Sequence, residues 1–175
     1  MTKRKTAVRT LCFCAVFAAL TCVATLISIP LPVGYFNLGD TIVIAGAWCL
    51  GLPGIASAAI GSALADVFLG AAIYAPATAV IKGLMALIAF LLCQSLSKFP
   101  RHTEVLLRAA VALLCEVIMV GGYLLYDAFA IGYGMGALAS IGGNALQGLA
   151  GIIGSVVIFS AIEDIPSVRK LLQRK

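Results

Sequence analysis

Residues 137–162 read ALASIGGNALQGLAGIIGSVVIFSAI, an unbroken run without a single charged side chain. A bilayer's hydrocarbon core is about 30 Å thick and takes about 20 apolar residues as a helix, so this stretch is long enough to cross one. At helical spacing Ser140, Asn144, Gln147, Gly148, Gly151 and Ser155 share one stripe, while Ile141, Leu149, Ile152, Ile153 and Val156 lie mostly around the other side. Carboxamides have no partners in lipid. The Asn144 and Gln147 stripe is therefore expected to face protein.

The rest of the chain has the same character, with 62% hydrophobic residues, 11% charged residues and a mean hydropathy of +1.11 over 175 residues. Further apolar segments run roughly over 10–29, 38–50, 53–70, 75–96 and 105–126, with the last at 138–162. Between them fall Pro30 and Pro32, Gly51-Leu52-Pro53-Gly54, Tyr74-Ala75-Pro76, the polar stretch 98–102 and the glycine-rich 132–136. An open sheet edge cannot be satisfied in lipid, so every segment is read as a helix. The expectation is an all-α integral membrane protein, a six-transmembrane-helix bundle forming one domain over 1–175. The second and third segments are short enough to be a re-entrant pair, but the placement of charge favours two crossings.

Of the twelve Lys and Arg residues, Lys3, Arg4, Lys5 and Arg9 precede the first segment, Lys98, Arg101 and Arg108 flank the fourth loop, and Arg169, Lys170, Arg174 and Lys175 come last. Only Lys82 lies elsewhere. The positive-inside rule makes all three clusters cytoplasmic, which requires four crossings before Lys98 and two after Arg108, with both termini inside. The net charge of +5 is then topology, and no nucleic-acid partner is expected. The N-terminal basic run followed by apolar residues resembles a signal peptide but is longer than a signal h-region, and it is read as a retained first helix. Cys12, Cys14, Cys22, Cys49, Cys93 and Cys115 are scattered through apolar segments without metal-ligand or disulfide spacing, so neither a metal nor a cofactor is expected.

The remaining polar residues share faces with small ones: Asp66 with Ala59, Ser62 and Gly70; Lys82 with Thr78, Ala86 and Ala89; Glu116 with Ala109, Ala112, Tyr123 and Asp127. Counting 1.5 Å per residue from the expected outer ends puts Lys82 and Gln147 about 12 to 14 Å deep, Glu116 about 14 Å, Asn144 about 9 Å and Asp66 about 6 Å. Ionisable groups at such depth are costly unless paired or wet, and they mark functional sites by default. Lys82 could pair with Asp66 or Glu116, and the two amides could bridge helices. Their common depth, with almost no polar side chains in the inner halves, points instead to a one-sided pocket. The loop PLPVGYFNLGD, 30–40, with Tyr35, Phe36, Asn37 and Asp40, would cover it, and the loop with Asp127 and Gly132-Tyr133-Gly134 is a second candidate gate. Tyr35 and Asp40 read equally well as an interfacial anchor and a helix cap. On the first segment Ala15 and Ala19, four apart, form a small-xxx-small surface for close helix approach, either within the bundle or to a partner. No glycine loop carrying Lys and Ser or Thr is present to bind a nucleotide phosphate, so ATP hydrolysis would fall to a partner.

The run NLGDTIVIAGAWCLGLPGIASAAIGSALADVFLGAAIYAPATAVIKGL, Asn37 to Leu84, with GGYLLYDAF and GNALQG further on, resembles the substrate-binding S components of energy-coupling factor (ECF) vitamin transporters. It is similar to the branch of riboflavin-type, hydroxymethylpyrimidine and pyridoxine-type members, through the combination of NLGD, ALAD, YAP-T--IKG and N--Q over nearly the whole chain. The resemblance implies a six-helix, multi-pass protein of a bacterial or archaeal cell membrane that captures a vitamin outside. It also implies work with a transmembrane coupling protein and two cytoplasmic ATPases, toppling in the membrane to release the cargo. The family's coupling surface maps onto Ala15 and Ala19, and its pocket onto Asn37, Asp40, Asp66, Lys82, Glu116, Tyr123, Asn144 and Gln147.

Both signs of charge with paired amides suit a small hydrogen-bonding heteroaromatic, pyridoxine-like or hydroxymethylpyrimidine-like. Riboflavin is the alternative, and would want more aromatic lining than 8% aromatic residues supply. A self-sufficient carrier would need a polar route through the inner half. An intramembrane enzyme could use Lys82 and Glu116 as base and acid, but no nucleophile or metal set accompanies them, and no enzyme activity is expected.

Overall fold

The computed structural model describes residues 3–30, 35–94, 96–163 and 165, and the side chains from residue 7 onward apart from that of residue 97. Among the described residues six helices carry the fold: α1 (Lys3–Leu26), α2 (Gly39–Leu50), α3 (Leu52–Phe68), α4 (Ala75–Cys93), α5 (Arg101–Leu125) and α6 (Ser140–Ile162). The stretches Ala7–Leu26, Ala75–Cys93, Arg101–Ile131 and Gly134–Ile162 are long and apolar enough to cross a membrane, which marks a multi-pass membrane protein. The basic cluster Arg169, Lys170, Arg174 and Lys175 lies outside the described residues, as do positions 31–34 of the expected covering loop.

Two elements differ from an all-helical reading. α1 stops at Leu26, short of the expected residue 29, because the chain turns into a small antiparallel pair. This pair joins β1 (Ser28–Pro30) to β2 (Tyr35–Asn37), with Ile29 opposite Phe36. Pro30 sits at the strand's end, where a missing N–H costs no ladder bond. α5 begins at Arg101, straight after Pro100, four residues before the expected start, and continues through a wide π-helical turn, Tyr126–Ile131. A left-handed Gly132 (φ 88°) ends that turn, and a short 3-10 stretch, Gly134–Ala139, leads into α6.

α2 is the centre of the molecule. It packs against α1, α3, α4 and α6, and eleven of its twelve residues are buried. At 1.5 Å per residue it spans only about 18 Å, roughly half a bilayer. Gly51 (φ 70°) then reverses the chain in a conformation that L side chains rarely adopt, and Pro53 follows in the first turn of α3, where its absent N–H is not needed. α3 lies on α1 at Gly61, whose missing Cβ lets it sit directly on the Ala18 carbonyl and Thr21. Around α2 the core is made of Val43, Ile44, Ala47, Met85, Ala89, Ala112, Cys115 and Met119. Leucines, valines and isoleucines such as Leu11, Val23, Val80, Leu106, Leu149 and Ile153 point outward, the arrangement that a lipid solvent favours.

The loops 69–74 and 126–139 and the β pair share one end of the bundle, called here the hairpin end. There the Tyr126 hydroxyl donates to the Ile73 carbonyl (2.5 Å) and the Tyr74 hydroxyl to Asp127 Oδ1 (2.9 Å). Burial, with Asp127 accepting its hydrogen bond, pushes the Tyr74 phenol well above its ordinary range, so it stays a donor. The opposite end carries Gly51, Lys98 and the start of α5, where Arg101 meets Glu163 (3.1 Å) and Ser160 of α6.

Candidate functional site

Because α2 is short and its far end lies at the Gly51 turn, its first residues lie well inside the bundle and not at its rim. Asp40, the second residue of α2, is 0% exposed. Its Oδ1 takes the Lys82 ammonium from α4, and its Oδ2 accepts a hydrogen bond from Gln147 Nε2 of α6 at 2.7 Å. Gln147 Oε1 in turn accepts the backbone N–H of Asn37 at 3.3 Å, and Asn37 Oδ1 accepts the N–H of Gly39 at 2.9 Å, closing the entry to α2. One carboxylate therefore ties three helices and the end of β2 together. A buried charge is tolerable only when paired and hydrogen-bonded, and here both oxygens are used.

Lys82 is 5% exposed and also stands 5.4 Å from the centre of the Tyr123 ring, whose quadrupole favours a cation. The Tyr123 hydroxyl shares a hydrogen bond with Thr78 Oγ1 at 2.9 Å, and Thr78 also reaches Asp66 on α3. The sequence offered Asp66 or Glu116 as the partner of Lys82. The partner is Asp40, a residue that the linear depth count left in the covering loop because it treated the second helix as a full crossing.

Glu116 on α5 is 3% exposed, and neither carboxylate oxygen has a hydrogen-bond partner. It lies against Gly148 and Gly151 of α6, and a Cβ at either glycine would press into its side chain. Asp40 flanks Gly151 as well. The glycines of the α6 stripe thus open a slot into which two acidic residues converge. Asp66 Oδ2 and Ser62 Oγ are buried and unpartnered too. Asn144 is half-buried and makes none of these bonds, while Asn37 and Tyr123 are half-buried members of the network.

Ala15 and Ala19 are exposed on α1, away from the side on which Ala18 meets α3. No group of three or more metal-ligating side chains occurs among the described residues.

A second buried cation was not anticipated. Arg108 was grouped with the loop cations, but α5 starts early enough to put it two turns inside, 7% exposed. Its Nε and Nη2 donate to Glu104 Oε1 (3.1 and 2.5 Å), and its guanidinium lies 4.0 Å from the Phe159 ring centre and 5.2 Å from that of Trp48. The two rings meet edge to face at 5.5 Å. The half of the bundle toward Lys98 is therefore not free of polar groups. The i, i+4 spacing of Glu104 and Arg108 was the available signal.

Comparison with protein families matches residues 5–164 to the model described as ECF-type riboflavin transporter, S component. Comparison with individual curated proteins returns no match.

Proposed function

The chain belongs to the family of ECF-type riboflavin transporter S components, and from that premise we propose that it is the high-affinity substrate-binding subunit of an ECF-type ABC importer for a small water-soluble vitamin or precursor. The observation that carries this reading is the network of Asp40, Lys82 and Gln147 with the unpartnered Glu116 beside it, drawn from α2, α4, α5 and α6 toward one end of the bundle. Such a cluster has the chemistry of a binding site and no nucleophile for catalysis. With the half-length α2 completing its passage through the β pair that leads into it, the chain would cross six times, and cytoplasmic termini would then put the hairpin end outside, where cargo is captured, in a bacterial or archaeal cell membrane. Binding would draw on Asn37, Asp40, Asp66, Lys82, Glu116, Tyr123, Asn144 and Gln147. The exposed Ala15 and Ala19 would receive a transmembrane coupling protein, which in turn engages two cytoplasmic ATPases.

Mixed charge and amides favour a pyridoxine-like or hydroxymethylpyrimidine-like cargo, whereas the description of the matched family favours riboflavin as the second reading. The test is uptake into proteoliposomes. The chain alone should bind ligand without ATP and fail to accumulate it. With the coupling protein and ATPases present, uptake should become concentrative, and Ala15→Trp with Ala19→Trp should abolish it while leaving binding intact. Concentrative uptake by the chain alone would identify a carrier instead.

A further inference from the structure

We propose that Glu116 is a proton-binding site: it is held as a neutral carboxylic acid sealed between α5 and α6, and its proton leaves the Lys82 ammonium to Asp40. The site itself does not depend on the transport reading above, although the network it preserves is the one assigned there to cargo.

The first argument is charge. Asp40 and Glu116 are both buried and both press on Gly151 of α6, so two carboxyl groups share one dry space. Like charges so placed do not both ionise. Among the described residues Lys82 of α4 is the cation that acts on Glu116, and it is bonded to Asp40. The other titratable groups around α5 bring no second cation. α6 carries no titratable side chain, Cys115 beside Glu116 gives its thiol to the Met85 carbonyl, and the Tyr123 hydroxyl is engaged with Thr78. Asp127 at the hairpin end is held by Tyr74, and Arg108 toward the other end by Glu104.

Hydrogen bonding agrees. Neither Glu116 oxygen meets a donor, although an ammonium carries three N–H groups and Asp40 engages Lys82 through Oδ1 alone. An ionised carboxylate would need such donors, whereas a neutral acid loses far less by being buried without them. Gly148 and Gly151 close directly on the carboxyl, and a proton, unlike a solute, needs no cavity. At alkaline pH the Glu116 O–H bond breaks, the proton passes to water and a second anion is left beside Asp40. Lys82 is then divided between two carboxylates, and the chain from Asp40 through Gln147 to Asn37, which closes the entry to α2, slackens.

The ligand-free full-length chain in detergent micelles is followed by infrared difference spectroscopy and by its melting temperature, from mildly acidic to alkaline pH. The native-minus-Glu116→Gln spectrum should hold the C=O band of a protonated carboxyl at neutral pH and lose it at alkaline pH. The folded protein then keeps a proton that the unfolded chain releases, so the native melting temperature should fall as pH rises. That of Glu116→Gln, a permanent stand-in for the neutral acid, should fall by at least about 3 °C less. Asp40→Asn removes the neighbouring anion and frees Lys82, and should move the loss of the band about one pH unit or more toward acid. This variant tests the site even if Glu116→Gln does not fold, with Asp66→Asn, which should keep the native band, as its control. No Glu116-dependent acid band at neutral pH, equal pH dependence in the native chain and Glu116→Gln, or an unmoved band in Asp40→Asn overturns the assignment. The transport reading fails separately, on proteoliposome uptake, since none of these measurements involves cargo or ATP.

Discussion

Lys82 and Arg108 stand on neighbouring helices, are buried to nearly the same degree at 5% and 7% exposed, and meet opposite surroundings. Arg108 is closed in. Its flat guanidinium is covered by Trp48 and Phe159, its N–H groups point at a carboxylate one turn away on its own helix, and the unpartnered atom nearby is a neutral donor, Trp48 Nε1. Lys82 is a compact charge held by Asp40, a residue 42 positions away, and carboxyl oxygens without hydrogen-bond partners remain nearby on Glu116 and Asp66. Arginine suits a stacked, locally satisfied position, and lysine a point contact with room for another ion. A buried charge in a membrane helix is therefore not by itself a binding site. The distinguishing property is what its neighbours still lack.

The strongest challenge to that contrast is to remove the two cations in turn. Lys82→Met strands Asp40 in the centre of the molecule and should destabilise the ligand-free protein by about 3 to 5 kcal/mol, the usual consequence of halving a buried pair. Adding Asp40→Asn should recover much of the loss. Denaturant titration in micelles measures both, and a Lys82→Met protein within about 1 kcal/mol of the native one would show that Asp40 does not depend on it.

Arg108→Met should cost less, about 2 kcal/mol, because Glu104 lies nearer the bundle surface and methionine keeps contact with the rings. Its ligand affinity should stay within about threefold of the native value, as expected for a position outside the site. A tenfold loss in calorimetry would join the two clusters into one functional unit and break the comparison.

Gln147→Leu should have the smallest effect, lowering ligand-free stability by about 1 to 2 kcal/mol as the bridge from Asp40 to Asn37 is lost. The melting temperature reads this directly. An unchanged melting temperature with affinity lowered tenfold or more would mean that Gln147 is spent on the cargo and not on the protein, and would move it to the unsatisfied side of the contrast.

The helical segments were legible because apolar runs bounded by Pro, Gly and charge leave little else for a chain in lipid. The shared face of Asn144, Gln147, Gly148 and Gly151 followed from spacing alone, and so did the expectation that Lys82, Glu116 and Gln147 lie at one level. The partner of Lys82 did not follow. Depth was counted from the rim of each helix, and α2 has no rim, since twelve residues cannot reach both sides of a bilayer. Residues 38–50 were read as a short helix, but nothing in their composition says at which end the shortfall lies. Arg108 was missed for a related reason: a helix start set four residues too late turns an interior cation into a loop cation.

α2 also has an evolutionary consequence. The outer helices must satisfy lipid as well as protein, so most of their surface is committed to leucine, isoleucine and valine whatever the cargo. α2 is enclosed by its neighbours and answers only to other side chains. It can carry an aspartate and a threonine, Asp40 and Thr41, without any penalty from the bilayer, since each finds a partner inside. A lineage can therefore adapt to a new cargo by editing this one helix and the few residues that meet it, while the membrane-facing shell and the surface offered to partners stay as they are.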